Sequence, residues 1–184
     1  MAGVREDLLD RATDHVLAHG LIGLSLRPLA AAIGTSDRML IYHFGTRDAL
    51  VSDIVATAGA RATTIVAELP GAPTVRSGVN RLWSAYLTEP LSSCLDVYCQ
   101  AAATGLIGRE PYLSDARRSN EAWSHALRDY FLRCHAAPRK VTRIVTLVDS
   151  ALYGFHLDLI TDRPDELARG VDDLAAAAQA IATS

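Results

Sequence analysis

Apolar residues recur at spacings of three and four along almost the whole chain, and period-two alternation never persists, so helices are expected throughout and strands are not. In EDLLDRATDHVLAHG, Leu8, Leu9, Ala12, Val16 and Leu17 form one stripe that stops at Gly20. Ser25 stands where it can cap a second, short helix whose Leu26, Leu29, Ala30 and Ile33 share a face. Pro28 falls in the unbonded first turn of that helix, where a missing N–H costs little. Gly34 ends it. Thr35 or Ser36 can then cap DRMLIYHF, which Gly45 breaks. A fourth helix is expected from about Thr46 through Glu68, with Leu50, Ile54 and Val55 facing the first three, until Pro70, Gly71 and Pro73 interrupt it.

Beyond that break the periodicity predicts helices over about 74–88, 91–107, 114–134, 138–161 and 164–182, with Pro90, Pro111, Pro138 and Pro164 at or near their starts. The fold class is therefore all-α, with about eight or nine helices of unequal length and no internal repeat. The expected organisation is a three-helix domain over 1–46 followed by a larger helical domain over 47–184.

Two short helices around a glycine turn are the geometry of a helix-turn-helix, in which the second helix enters the DNA major groove and its early residues meet base edges. Thr35, Ser36, Asp37, Arg38 and Met39 occupy that entering end. Arg38 is the first choice for a base contact, with a phosphate contact or solvent exposure as its alternatives. Asp37 can accept from cytosine or simply favour the positive end of the helix dipole. Arg27 and Arg47 lie in or beside the unit as phosphate candidates. Leu40, Ile41 and Phe44 are expected to be its core anchors.

Taken together, Gly20, Ser25, Leu29, Ala30, Gly34, Ser36, Leu40, His43, Phe44, Arg47 and Leu50 resemble the N-terminal pattern of TetR-type transcriptional regulators. The match is detailed over about residues 8–55 and loose beyond. The resemblance implies sugar or phosphate contacts from Tyr42 and His43 and a backbone contact from Arg47, where the family has Lys. It departs from the pattern at Ile41, where the family's Tyr commonly meets a phosphate, and at Arg38, where a small residue is frequent. Tyr42 cannot simply replace that Tyr, because a one-residue shift turns a helical side chain by about 100°.

The resemblance also implies that the larger domain dimerises and encloses a small-molecule pocket. Trp83, Tyr86, Tyr98, Trp123, Tyr130 and Tyr153 each combine apolar area with one hydrogen-bonding group, and with His156 they are the candidate effector residues; the alternative is ordinary core aromatics. Homodimerisation has its own motive, since one short helix reads too few base pairs and a two-fold pair reads half-sites about 34–36 Å apart. The stripe Val141, Ile144, Val145, Val148, Leu152, Phe155, Leu159 and the small residues Ala168, Ala175, Ala178 and Ala182 are candidates for that interface.

Charge changes the picture only by narrowing it. The 184 residues carry a formal net charge of -3, and the first 50 hold five Arg against six acidic residues, so DNA binding has to depend on local geometry and helix N-termini rather than a broad basic surface. Apolar runs are interrupted before a membrane-spanning length of roughly 20, and MAGVREDLLDR lacks the apolar core of a signal peptide, so a cytoplasmic protein without a membrane partner is expected. Cys94, Cys99 and Cys134 suit free thiols rather than a disulfide framework or thiolate metal site. His15 and His19 have a ligand-like spacing but no HExxH context, and no phosphate loop, GxSxG elbow or dinucleotide fingerprint is present. No cofactor, metal or catalytic set is therefore expected.

The sequence thus points to a ligand-responsive, DNA-binding transcriptional regulator, a repressor that releases a palindromic operator when a small apolar or amphipathic molecule binds. The competing readings are a helical dimeric small-molecule-binding protein or enzyme that uses its first helices as scaffold, and a constitutive architectural DNA binder.

Overall fold

The computed structural model describes residues 3–184, apart from the side chain of residue 164. Among the described residues there are nine helices and no strand: α1 (Val4–His19), α2 (Leu26–Ala32), α3 (Asp37–Phe44), α4 (Arg47–Glu68), α5 (Val75–Tyr86), α6 (Leu91–Leu106), α7 (Tyr112–Arg133), α8 (Pro138–Asp158) and α9 (Pro164–Thr183). The all-α expectation and the placing of the helices are met. Their ends follow local chemistry: the Ser36 hydroxyl accepts from the Met39 N–H at 3.2 Å, Thr46 does the same for Ala49 at 3.0 Å, and Gly20, Gly34 and Gly45 take positive φ at the breaks. Ser25 occupies the N-cap position of α2 but its side chain makes no capping bond.

The chain forms two compact units, whose boundaries fall within α4, at the start of α6 and within α7. The first comprises the residues up to Thr63 together with Ser92–Trp123. Its core gathers Leu8, Ala12 and Val16 of α1, Leu29 and Ala30 of α2, Leu40 and Phe44 of α3, Leu50, Ile54 and Ala58 of α4, Val97 and Ala101 of α6, and Tyr112 of α7. Each fully buried Leu, Ile or Val among these contributes about 1.5–3 kcal/mol. By length and composition α4 is apolar enough to cross a bilayer, because only Asp53 and Arg61 interrupt its middle. Leu50, Val51, Ile54, Val55 and Ala58 are buried in this core, which is what the apolarity of α4 serves here.

The second unit comprises Thr64–Leu91 and Ser124–Ser184, in which α9 packs on both α5 and α8. The α8 stripe proposed as a subunit interface lies largely inside it. Val141, Ile144, Val145, Val148 and Leu152 are buried in their own chain, as are Ala175 and Ala178 of α9. The apolar face that α8 leaves exposed is a different one, carrying Leu147 and Leu157.

Candidate nucleic-acid interface

α3 is short, so its orientation depends on two anchors. Leu40 (fully buried) and Phe44, four residues apart, share one face and hold the helix to the core. The rest of α3 is turned outward. Ser36, Asp37, Arg38 and Met39 are exposed at its start, Tyr42 is 77% exposed, and Thr35 is half-buried. Ile41, expected in the core, is instead 41% exposed: one residue on from Leu40, it points about 100° away from the anchoring face. It adds an apolar group to the outward surface, where a thymine methyl is the matching base feature.

The polar candidates differ in how free they are. The guanidinium groups of Arg27 and Arg38 are exposed and make no hydrogen bond or ion pair with the described residues. Asp37 is occupied locally, accepting from the Arg38 N–H at 2.9 Å. His43 is half-buried; its ring lies edge-on to Tyr42, with centroids 5.0 Å apart, and its carbonyl accepts from Arg5 Nε at 3.3 Å. Arg47 is the most constrained. Its Nε donates to the Leu24 carbonyl at 3.0 Å, Nη1 pairs with Asp48 at 3.1 Å, and Nη2 donates to the Tyr112 hydroxyl at 3.3 Å. Burial works against its charge, but the contacts with Tyr112 and Asp48 outweigh that and raise its pKa. These bonds use one N–H on each nitrogen, so a phosphate contact from Arg47 has to come from the second N–H of Nη1 or Nη2 with the guanidinium held in this orientation.

Three side chains that sequence reading passed over hold this surface in place. Gln100 of α6 accepts with Oε1 from the N–H groups of Leu21 (2.7 Å) and Ile22 (2.9 Å), clamping the loop between α1 and α2. Arg5 of α1 stacks over the Phe44 ring, with its guanidinium carbon 4.9 Å from the centroid, and pairs with Asp53 of α4. Arg11 donates to the Ile33 carbonyl at 2.7 Å, closing the end of α2 onto α1. Arg5 and Arg11 are thus occupied in binding α1 to its neighbours, and each of these contacts joins residues far apart in sequence, although Arg11 also pairs with Asp7 one turn away.

Solved structures share this arrangement over nearly the full length. A transcriptional regulator from Rhodococcus sp. Rha1 superposes with a TM-score of 0.73 at 18% identity, covering 98% of this chain and 96% of its own. A member of the TetR family from Streptomyces coelicolor A3 gives 0.62 at 23% identity, covering 94% and 98%. The multidrug binding protein EbrR, complexed with imidazole, gives 0.63 at 21% identity, covering 94% of each chain. The chain has the TetR-family fold. No protein-family model and no curated protein matches the sequence.

Within this TetR-type fold the candidate effector residues do not form one group. Trp83, Tyr86, Tyr153 and His156 come together in the second unit, with ring centroids 6.1–6.4 Å apart across Trp83–Tyr86, Tyr86–Tyr153 and Tyr86–His156. Tyr130 lies in the same unit but is fully buried, donating to the Gly78 carbonyl at 2.9 Å. Tyr98 and Trp123 belong to the first unit. The first unit also contains the His15–His19 pair, whose ring centroids lie 4.2 Å apart in a stacked arrangement. Burial, and then the nearby His19 charge, lowers the pKa of His15. Among the described residues no group of three His, Cys, Asp or Glu side chains could hold a metal ion.

Proposed function

We propose that the chain is a homodimeric, DNA-binding transcriptional regulator of the TetR family that reads a palindromic operator as a cytoplasmic repressor and releases it when a small apolar or amphipathic molecule binds. The observation that carries this reading is the orientation of α3: two buried anchors, Leu40 and Phe44, turn Arg38, Met39, Ile41 and Tyr42 outward together, on a helix short enough to lie in a major groove. The fold supports it, as does the fact that similar solved structures are transcriptional regulators and one is a multidrug binding protein.

The functional division is a reader over 1–46 and an effector and dimerisation part over 47–184. Arg38 reads a base edge, with bidentate contact to guanine as the best match to its fork. Arg27, Tyr42, His43, the Thr35 side chain and the N–H groups of Ser36 and Asp37 at the start of α3 meet the backbone, which explains how a chain of net charge -3 holds DNA without a broad basic surface. Dimerisation through the exposed face of α8, including Leu147 and Leu157, supplies the second reader. A tenfold to hundredfold loss of operator affinity on effector binding needs only about 1.4–2.8 kcal/mol of coupling.

Selection of duplexes from a random pool by the full chain tests the reading. Recovery of a two-fold symmetric sequence, with half-sites about 10 base pairs apart or a multiple of that, is the expected result. A folded dimer that enriches no sequence contradicts the apo-repressor.

A further inference from the structure

α4 and α7 face each other within the first unit through two stripes at helical spacing: Ala56, Gly59, Ala60 and Thr63 on one, Asp115, Arg118, Ser119 and Ala122 on the other. The stripe on α4 consists of small residues. At Gly59 the helices come close, since a Cβ there would lie 3.3 Å from Ser119 Oγ, and around this contact the small side chains leave a cleft of about 210 Å³. At roughly 30 Å³ per water-sized group, that is room for a ligand of about seven such groups. Three alanines and a glycine give the cleft an apolar surface.

One wall contradicts that apolar character. Asp115 is only 3% exposed, and its Oδ2 is buried without any hydrogen-bond partner. Its Oδ1 is 3.5 Å from Arg118 Nη1, but the Arg118 side chain is 67% exposed, so that pair satisfies one oxygen weakly and leaves the other unmet. Natural structures pair nearly all buried polar atoms, and a buried carboxylate oxygen with no partner calls for an ion or donor that belongs there. An anionic ligand on Arg118 does not answer this, because it would leave Oδ2 unmet and add a second negative charge beside it.

We propose that the α4/α7 cleft is a binding site for a small organic cation, an apolar group carrying a protonated amine, whose N–H donates to Asp115 while its apolar part covers Ala56, Ala60 and Ala122. Its role as the effector site rests on the ligand-responsive reading above. The cleft is well placed for that role, as it shares α7 with Tyr112, whose hydroxyl holds Arg47 at the start of α4. Separating α4 from α7 at the cleft bears directly on that contact beside the reader.

Calorimetric titration of the full chain with benzylammonium, and with benzyl alcohol as a neutral analogue of similar shape, tests the site without DNA. Benzylammonium is expected to bind at least tenfold more tightly, the preference to vanish in Asp115→Asn, and both ligands to be lost in Ala60→Leu, which fills the cleft and keeps the carboxylate. Asp115→Asn removes an unmet buried charge, so its melting temperature is expected to equal or exceed that of the parent, which separates lost recognition from lost folding. Equal binding of amine and alcohol, amine binding unchanged in Asp115→Asn, or no amine binding up to about 10 mM overturns the proposal. If the amine binds in the cleft but leaves affinity for a selected duplex unchanged, the ligand-responsive reading fails and the cation site stands.

Discussion

Replacing Gln100 by Ala tests whether α6 holds the loop between α1 and α2 in position. Gln100 Oε1 is the acceptor for two consecutive backbone N–H groups, those of Leu21 and Ile22, at 2.7 and 2.9 Å. The Leu21 side chain is fully buried and its N–H bond is partly shielded, so losing the acceptor leaves a donor that costs about 1–3 kcal/mol, while the exposed Ile22 N–H finds water at little cost. A total of about 2 kcal/mol follows. Expressed locally, it accelerates hydrogen exchange at Leu21 and Ile22 by about 30-fold. Amide exchange followed residue by residue reads this directly, and it separates loosening of the loop from global unfolding in a chain with two compact units. Gln100→Glu keeps an acceptor and is expected to preserve most of the protection. Exchange at both amides within about twofold of the parent in Gln100→Ala would refute the clamp.

Further predictions concern the anchors, the phosphate contacts and the thiol. Leu40→Ala is expected to cost about 2–5 kcal/mol by thermal or urea unfolding, whereas Ile41→Ala, at an exposed position, is expected to stay within about 0.5 kcal/mol; equal costs would contradict the orientation of α3. Arg27→Ala is expected to weaken binding to all duplexes alike and to lower the slope of log affinity against log salt by about 1, a result that anisotropy titrations at several salt concentrations will show. The Cys99 thiol is pushed up to about 11, first by burial and then by the Asp96 carboxylate. Its alkylation rate is therefore expected to keep rising between pH 9 and pH 11, with thiolate at pH 8 scarcer than in an ordinary cysteine by about a hundredfold. A plateau by about pH 10 would show an unperturbed thiol.

Local signals carried the fold. Glycine breaks at 20, 34 and 45, the Ser36 and Thr46 caps and the three-to-four spacing of Leu8, Ala12 and Val16 are each decided within one or two turns, and the structure follows them closely. What failed was assignment of a face. Ile41 looked like core because it is apolar, yet on an eight-residue helix with anchors at Leu40 and Phe44 only one narrow stripe can be buried. The α8 stripe was real, but periodicity marks that a face is covered and not by what, and here α9 of the same chain packs against α8. Arg47 was legible as a cation at the start of a helix. Two of its three partners were not, because Leu24 and Tyr112 are separated from it by 23 and 65 residues. Gln100 and Asp115 were missed for the same reason: a glutamine and an aspartate on helices are unremarkable until the fold brings a loop or a cleft to them. Aromatic residues drew attention as effector candidates, whereas the small residues of α4 that open the cleft left no mark in the sequence.

The claim that α3 reads DNA through Arg38 is tested most directly by titrating the selected duplex and a scrambled competitor with the parent chain and with Arg38→Ala, at about 0.1 M salt. The Arg38 guanidinium is exposed and makes no hydrogen bond or ion pair with the described residues, so truncating it leaves the fold intact. The account predicts a parent preference of at least tenfold for the selected duplex that falls by about 1–3 kcal/mol in the variant, with scrambled DNA bound almost as before. An undiminished preference in Arg38→Ala would contradict the assignment of base recognition to this helix face.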